Sequence, residues 1–433
     1  MTSATAALPG QATAMIGRWY ILTIMMLVYT INIADRYVMS TVLEPIRLEL
    51  KLTDGGIAFL TGVSLALFYV TLGIPLSWVA DRYNRKNLLA AALVAWSVMT
   101  ALCGLSQGYW QLLMARIGVG VGEAGGTPAC NSIVADYFPA ARRPMAMTVF
   151  ALGAPIGAWL GADMAGMVAN AYGWRAAFLA LGIPGLVMGV IVYLTIREPQ
   201  RGRLDAVAAA SAPSIRETLR YLLAHKAAFH VIMGGGVSAF WGWGLMWFTP
   251  TFLQRTYGLD VGAAGAVVGP IHLVAGIGAS LFTAWLLSRP SFTDPRRIVW
   301  LLAIVTAVAT VPSFLAYWTH SLPLATLMLC TFIPAIYFYI GPAMAMVQNL
   351  APCRMRAMAI AVSLVVANVL NLIVAPQAVG WLSDHFAGPV GADAASLRLA
   401  LLVLAPMGLW AAWHYWAASR TIIADQQAAV GYV

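Results

Sequence analysis

The sequence predicts an all-α membrane protein of twelve transmembrane helices arranged as two six-helix bundles. Three observations predict it. Of the 433 residues, 61% are hydrophobic and only 9% charged, where a soluble chain carries roughly 25% charge. The few charges are bunched between apolar runs of the roughly 20 residues that a bilayer requires. Those runs are continuous, whereas a transmembrane barrel would show alternating segments of about ten residues.

Taken in order, the apolar runs fall near 19–43, 55–80, 87–106, 109–137, 144–169 and 174–196, then near 227–254, 262–288, 297–318, 322–348, 356–384 and 397–419. Between the two sets lies "REPQRGRLDAVAAASAPSIRETLRYLLAHK". Its Pro, Ala, Ser and charges read as a linker holding one short amphipathic helix around Ile215 to Leu223. The expected organisation is therefore a bundle over 1–196, a linker over 197–226 and a second bundle over 227–433.

Orientation follows from the basic residues. With the N-terminus inside, eighteen of the 25 Lys and Arg fall in cytoplasmic segments and five in outer loops, while Arg36 and Arg116 lie within spans. The positive-inside rule then places both termini in the cytoplasm. The net charge of +9 reflects loops beside anionic lipid, not nucleic-acid binding. The first seventeen residues carry no Lys or Arg and the first apolar run contains Asp35, which argues against a cleaved signal peptide. The absence of an Asn-x-Ser/Thr sequon favours a bacterial inner membrane over a glycosylated cell surface. Cys103, Cys130, Cys330 and Cys353 lack paired spacing and read as small buried hydrophobes. No nucleophile–base order, metal-ligand spacing or phosphate-binding loop stands out, so an enzyme is not expected and no cofactor is required.

Six plus six spans around a basic loop is the layout of repeat-built secondary transporters. The motifs agree. "SWVADRYNRK" after the second run resembles the loop motif of the major facilitator superfamily, Gly-x-Leu-Ala-Asp-Arg-x-Gly-Arg-Lys, with Asp81, Arg82, Arg85 and Lys86 in place and Ser77 and Asn84 where it has glycines. "GAPIGAWLG" in the fifth run resembles the Gly/Pro motif of the same superfamily. "NIADRY" in the first run, "RIGVGVGEAGGTPACNSIVADYFP" in the fourth and "REPQRG" after the sixth together resemble the spinster family of lipid transporters. Ile33 departs from that family's frequent aromatic. The resemblance implies the major facilitator fold, a lysophospholipid or sphingoid-phosphate substrate class, and a cytoplasmic latch in which Asp81, Arg82, Arg85 and Lys86 act. Asp136, Arg142 and Arg356 lie in loops of the same face and are candidates for that gate.

Charges inside spans carry the functional argument, because each costs about 2.5 to 3.5 kcal/mol on insertion scales and so faces a polar interior. With a rise of about 1.5 Å per residue, Asp35 lies roughly 12 Å and Arg116 roughly 9 Å below the outer surface. Glu123 lies two turns deeper on the face of Arg116, near the midplane. Asp163 in the fifth run falls near the depth of Asp35 and is a further gating candidate. Arg36 is adjacent to Asp35, so it points elsewhere on the helix and reads as a packing or snorkelling residue. Burial disfavours a charged carboxylate and a nearby cation favours it, so a group balanced between the two can change protonation as a cavity opens. The expectation is that Asp35 and Glu123 take up and release protons while Arg116 switches between them or to an anionic headgroup. An Arg suits that role because its planar fork binds carboxylate or phosphate and keeps its charge.

The second set of runs has no acid or base well inside it but many aromatics, and Asn368 and Asn371 share a face of the eleventh. Trp241, Trp243, Asn368 and Asn371 are candidate substrate contacts beside Arg116 and Glu123, with headgroup on the first half and tail on the second. The same aromatics would equally suit lipid-facing or interfacial positions. The reading is a proton-gradient-driven transporter of amphipathic lipid by alternating access, in contact with membrane lipids and acting as a monomer. The alternative is a proton-coupled symporter of a small organic anion.

Overall fold

The computed structural model describes residues 9–139, 142–199, 214–389 and 391–431. They are helical almost throughout, and the sole β pairing among them is an isolated bridge from Gly388 to Gly391. Ten helices among the described residues are long and apolar enough to cross a bilayer. In chain order they are Gly17–Thr41 (span 1), Arg85–Leu105 (span 3), Met145–Tyr172 (span 5), Trp174–Thr195 (span 6), Lys226–Tyr257 (span 7) and Val261–Leu287 (span 8). Pro295–Trp318 (span 9), Leu322–Asn349 (span 10), Cys353–Phe386 (span 11) and Ala394–Ala418 (span 12) complete them. Spans 2 and 4 are assembled from shorter pieces. Span 2 joins Asp54–Ala58, a π-helical turn Phe59–Val63 and Ser64–Arg82. Span 4 joins Tyr109–Glu123 to Gly126–Tyr137. The linker helix is Ile215–Ala224, and the Ser214 hydroxyl caps it by accepting from the Glu217 N–H.

The glycines of span 4 serve close packing. A Cβ on Gly120 would stand 2.4 Å from the Leu65 carbonyl oxygen, and one on Gly122 would stand 2.7 Å from the Trp96 Cβ. Small residues let these helices touch backbone to backbone, which is how helices associate where lipid supplies no hydrophobic drive. Arg116 and Glu123 are consequently held at fixed positions against spans 2 and 3.

Three π-helical turns occur among the described residues, at Phe59–Val63, Leu160–Met164 and Val369–Val374. All three lie where the first six spans meet the last six. Gly62 faces the Leu372 carbonyl across one seam, while Gly265 and Gly269 face Ala162 and Asp163 across the other. A π turn leaves one unit of the ladder irregular and often marks a site that moves.

The loops rich in Arg and Lys gather at one end, here called the basic face. At the opposite face the halves are sealed together: Gly262 sits against Asn170 and Gly380 against Asp54. The seal continues to Gly276 against Pro155, fifteen residues along span 8 from its Val261 end. At the basic end the elements pack mainly within their own half. The Arg143–Ala151 end of span 5 contacts span 1, span 4 and the continuation of its own span, and the Ile340–Asn349 end of span 10 contacts spans 7, 8, 9 and 11.

Candidate functional site

Four charges cluster inside the spans of the first half, with Asp35, Arg116 and Glu123 buried and Arg36 13% exposed. Arg36 donates to Glu123 Oε2 twice, from Nη2 at 2.7 Å and from Nε at 3.0 Å. Glu123 is fully buried and its Oε1 has no partner. The Arg36 guanidinium also lies over the Tyr69 ring, 4.7 Å from its centroid, a cation–π contact that helps replace lost hydration. Asp35 is buried as well. Its Oδ2 accepts from the Thr100 hydroxyl at 3.1 Å, and its Oδ1 is unpartnered. The charges of Glu123, Arg116 and Arg36 all act on Asp35.

Arg116 is the least satisfied of the four. It is 1% exposed, and its Nε and Nη1 make no hydrogen bond. Its charge acts on the Cys103 thiol, which Asp35 also influences. A buried guanidinium with free donors is expensive unless an anion or water completes it.

This arrangement corrects the expectation for Arg36. Adjacent helical residues do diverge, but the divergence carries Arg36 onto span 4 rather than into lipid, and it is Arg36 that clasps Glu123. Arg116, two turns above Glu123 on its own helix, stays at the level of Asp35. With both carboxylates ionised the four charges cancel, and one added proton leaves a net positive cluster.

Among the second-half candidates, Trp243 meets the first half: its ring lies 6.2 Å from Tyr37 and stacks 6.1 Å from His272. Tyr37 in turn lies 5.0 Å from His272. The His272 Nδ1 is 3.0 Å from the Tyr337 hydroxyl, and its Nε2 is buried without a partner. Trp247 donates from Nε1 to Asn371 Oδ1 at 3.0 Å, which occupies Asn371 inside its own half. Asn368 is half-buried. Trp241 is not at the interface between the halves. It packs on Phe332 and Gly408 and donates to the Ser313 hydroxyl, all in the second half. A wide aromatic filling a bundle is indistinguishable in sequence from one lining a cavity.

At the basic face Arg85 is 3% exposed and binds Asp136 at 2.5 Å, Glu198 at 2.8 Å and the Pro199 carbonyl at 3.0 Å. Lys86 donates to the Tyr193 carbonyl at 3.1 Å. These contacts tie spans 3, 4 and 6 of one half. Arg82, Arg142 and Arg356 are exposed. The Asp81 side chain lies outside the described residues. Asp163 accepts from Trp159 Nε1 at 2.9 Å on its own span and abuts Gly269 of span 8. Of the cysteines, Cys103 and Cys130 are buried as expected, but Cys330 and Cys353 are exposed. Cys330 lies on the outside of span 10, where lipid accepts a small apolar side chain, and Cys353 starts the 3-10 turn that opens span 11.

A second polar cluster, absent from the sequence reading, closes the opposite face. Asp54 is fully buried, and its carboxylate accepts from Arg255 at 2.7 and 2.8 Å and from the Ser383 hydroxyl at 2.6 Å. Arg255 also binds Glu44 at 2.6 and 2.8 Å, and Arg47 binds Glu44 at 2.8 Å. The Asp384 carboxylate accepts from the N–H groups of Asp54 and Gly55 at 2.9 and 2.8 Å. Glu44, Arg47 and Asp54 belong to the first half; Arg255, Ser383 and Asp384 belong to the second. Burial works against the charge on Glu44, but hydrogen bonds from Arg47 and Arg255 outweigh it and hold its carboxyl below the ordinary range. The signal in the sequence was the pairing of acids with Arg47 and Arg255 at loop ends facing away from the basic side.

Comparison with known proteins adds four findings. The family profile described as Major Facilitator Superfamily matches residues 25–376. An "MFS-type efflux pump" of Mycolicibacterium smegmatis is 32% identical over 406 residues, covering 93% of this chain and 92% of the relative. "Sphingosine-1-phosphate transporter SPNS2" of Mus musculus is 25% identical over 385 residues, covering 82% and 68%. Among solved structures, a bacterial homologue of the human lysosomal transporter Spinster in an inward-facing, unoccupied conformation superposes with a TM-score of 0.84 at 28% identity, covering 97% of this chain and 99% of that one.

Proposed function

We propose that this chain, which belongs to the Major Facilitator Superfamily and is a transporter in an integral-membrane helical fold, is a proton-coupled transporter of amphipathic lipids in the lysophospholipid or sphingoid-phosphate class. One observation carries the coupling: an Arg36–Glu123 pair at 2.7 Å beside Asp35 and an Arg116 with two idle donors. A proton reaching Glu123 removes the charge that holds Arg36, and the freed guanidinium joins Arg116 in offering donors to an anionic phosphate headgroup. Departure of the headgroup restores the pair and releases the proton. The pair is thus a two-state element that both proton and substrate bias, which is the requirement for coupling.

The likeness to a sphingosine-1-phosphate transporter supports the lipid class. The charge asymmetry of the loops supports a cytoplasmic basic face, so the sealed opposite face makes this an inward-facing state. That agrees with the conformation of the Spinster homologue it superposes on. The working unit is a monomer in the bacterial inner membrane.

A second reading has its own observation. Two guanidiniums inside the spans, Arg36 and Arg116, rather than one, would equally receive a small organic anion, making the chain a proton-coupled anion symporter. Proteoliposome transport separates the two. A labelled lysophospholipid or sphingoid phosphate should move only with a pH gradient, and Glu123→Gln should abolish the movement. Uptake of a small dicarboxylate with no movement of lipid overturns the lipid reading in favour of the symporter.

A further inference from the structure

Spans 2 and 11 do not touch along their whole length. Above the contact of Gly62 with Leu372 they part into a groove of about 610 Å³, within the range of ligand sites. Its walls are apolar: Phe59, Val63, Ile373 and Trp381 line it. Phe59 and Val63 come from one π-helical turn and Ile373 from another, so the irregular backbones of both spans shape the same groove. Trp381 is 67% exposed and Phe59 38%, on helices that cross the bilayer, so the groove opens sideways toward lipid.

Its polar end is specific. Gln377 is 92% buried (8% exposed) and lines the wall. Its Nε2 donates to the Gly55 carbonyl at 3.2 Å, which fixes the orientation of the amide. Its Oε1 has no partner. The Asp384 carboxylate stands at the same end, held by the N–H groups of Asp54 and Gly55. An orphaned buried acceptor in a groove that a carboxylate also lines calls for a cationic donor. An apolar trough beneath calls for a hydrocarbon chain.

We propose that this groove binds one acyl chain of a lipid from the surrounding leaflet, whose headgroup ammonium donates to Gln377 Oε1 under the field of Asp384. Phosphatidylethanolamine carries such donors, and phosphatidylcholine, whose ammonium is fully methylated, does not. The proposal rests on the groove and on the membrane embedding, not on lipid being the transported substrate. Because the groove borders the seal between the halves, its occupant wedges or releases the span 2–span 11 contact, which gives bilayer composition a hold on the transport cycle.

The experiment uses the full chain in nanodiscs with a photoreactive diazirine on the acyl chain of either phospholipid, followed by peptide mapping. Phosphatidylethanolamine should label the segments 59–63 and 373–381 in preference to phosphatidylcholine by roughly two- to tenfold, the worth of one hydrogen bond. Gln377→Leu should erase that preference while leaving apolar labelling in place. Ala378→Trp should fill the groove and remove the label from both lipids. Equal labelling by the two lipids in the unsubstituted chain, or a preference that survives Gln377→Leu, overturns the proposal. Running the same labelling on Glu123→Gln separates it from the transport reading, because the groove keeps its lipid whether or not the chain transports.

Discussion

Asp54→Asn tests the energetic role of the seal at the opposite face. Asp54 is fully buried and receives both Arg255 Nη atoms, at 2.7 and 2.8 Å, with the Ser383 hydroxyl at 2.6 Å. Asparagine keeps the shape but loses the charge, and presents an NH2 where an acceptor stood. Removing one partner of a buried ion pair costs about 3–5 kcal/mol. Arg255 retains Glu44 at 2.6 Å, so the loss falls to roughly 2–3 kcal/mol. These contacts join the two halves and break when that face opens, so the whole loss is differential between the two conformations. The ratio of sealed to open molecules should therefore fall roughly 30- to 160-fold. Double electron–electron resonance reads this directly, with spin labels at Lys51 and Gly388, both exposed at that face, after the exposed Cys330 and Cys353 are replaced by Ser. The unsubstituted chain should give a short distance and Asp54→Asn a longer one. An unchanged distribution in a folded variant of normal Tm refutes the claim that this cluster sets the conformational balance.

Acidification should weaken the same seal through Glu44. Its folded pKa is depressed, so its contribution is complete above the ordinary glutamate value of about 4.3 and is lost as pH falls through the lowered value. The sealed population should accordingly stay flat from about pH 8 to 5 and drop only below roughly 4; a fall near pH 6 in the same distance measurement points to another group. Gly62→Val should open the seal without touching a charge, because a Cβ there would stand 2.1 Å from the Leu372 carbonyl, and the spin-label distance should lengthen as for Asp54→Asn. Arg36→Lys should slow gradient-driven transport by about an order of magnitude or more, since a lysine replaces two donors on Glu123 Oε2 and the contact with Tyr69 by a single point charge. Transport at the unsubstituted rate would mean that Arg36 only neutralises Glu123.

Much of the architecture was legible because the bilayer imposes a length on each apolar run. The structure ends its spans within a few residues of the runs, as at Trp174–Thr195 against 174–196 and Val261–Leu287 against 262–288. Asp35, Arg116 and Glu123 were legible as a buried set for a related reason: a charge in a span has few places to go. Their partners were not. Helix periodicity says that Arg36 points away from Asp35, but not which helix stands in the direction it points, and that is fixed only once Gly120 and Gly122 let span 4 settle onto Leu65 and Trp96. The same gap hid the seal. Glu44, Asp54 and Arg255 lie at span ends, where a charge costs little and sequence alone reads it as solvated. Burial arises only when Ser383 and Asp384, more than three hundred residues downstream, close over Asp54. The π-helical turns leave no periodic trace, because a single inserted residue shifts the helical phase by about 100°. At Val369–Val374 that shift falls between Asn368 and the end of the span, so a face read across Asn368 and Asn371 does not continue straight. Asn371 turns to Trp247 in its own half. Asn368 remains half-buried. What escapes the sequence is thus the phase between helices, and the function proposed for this chain depends on that phase.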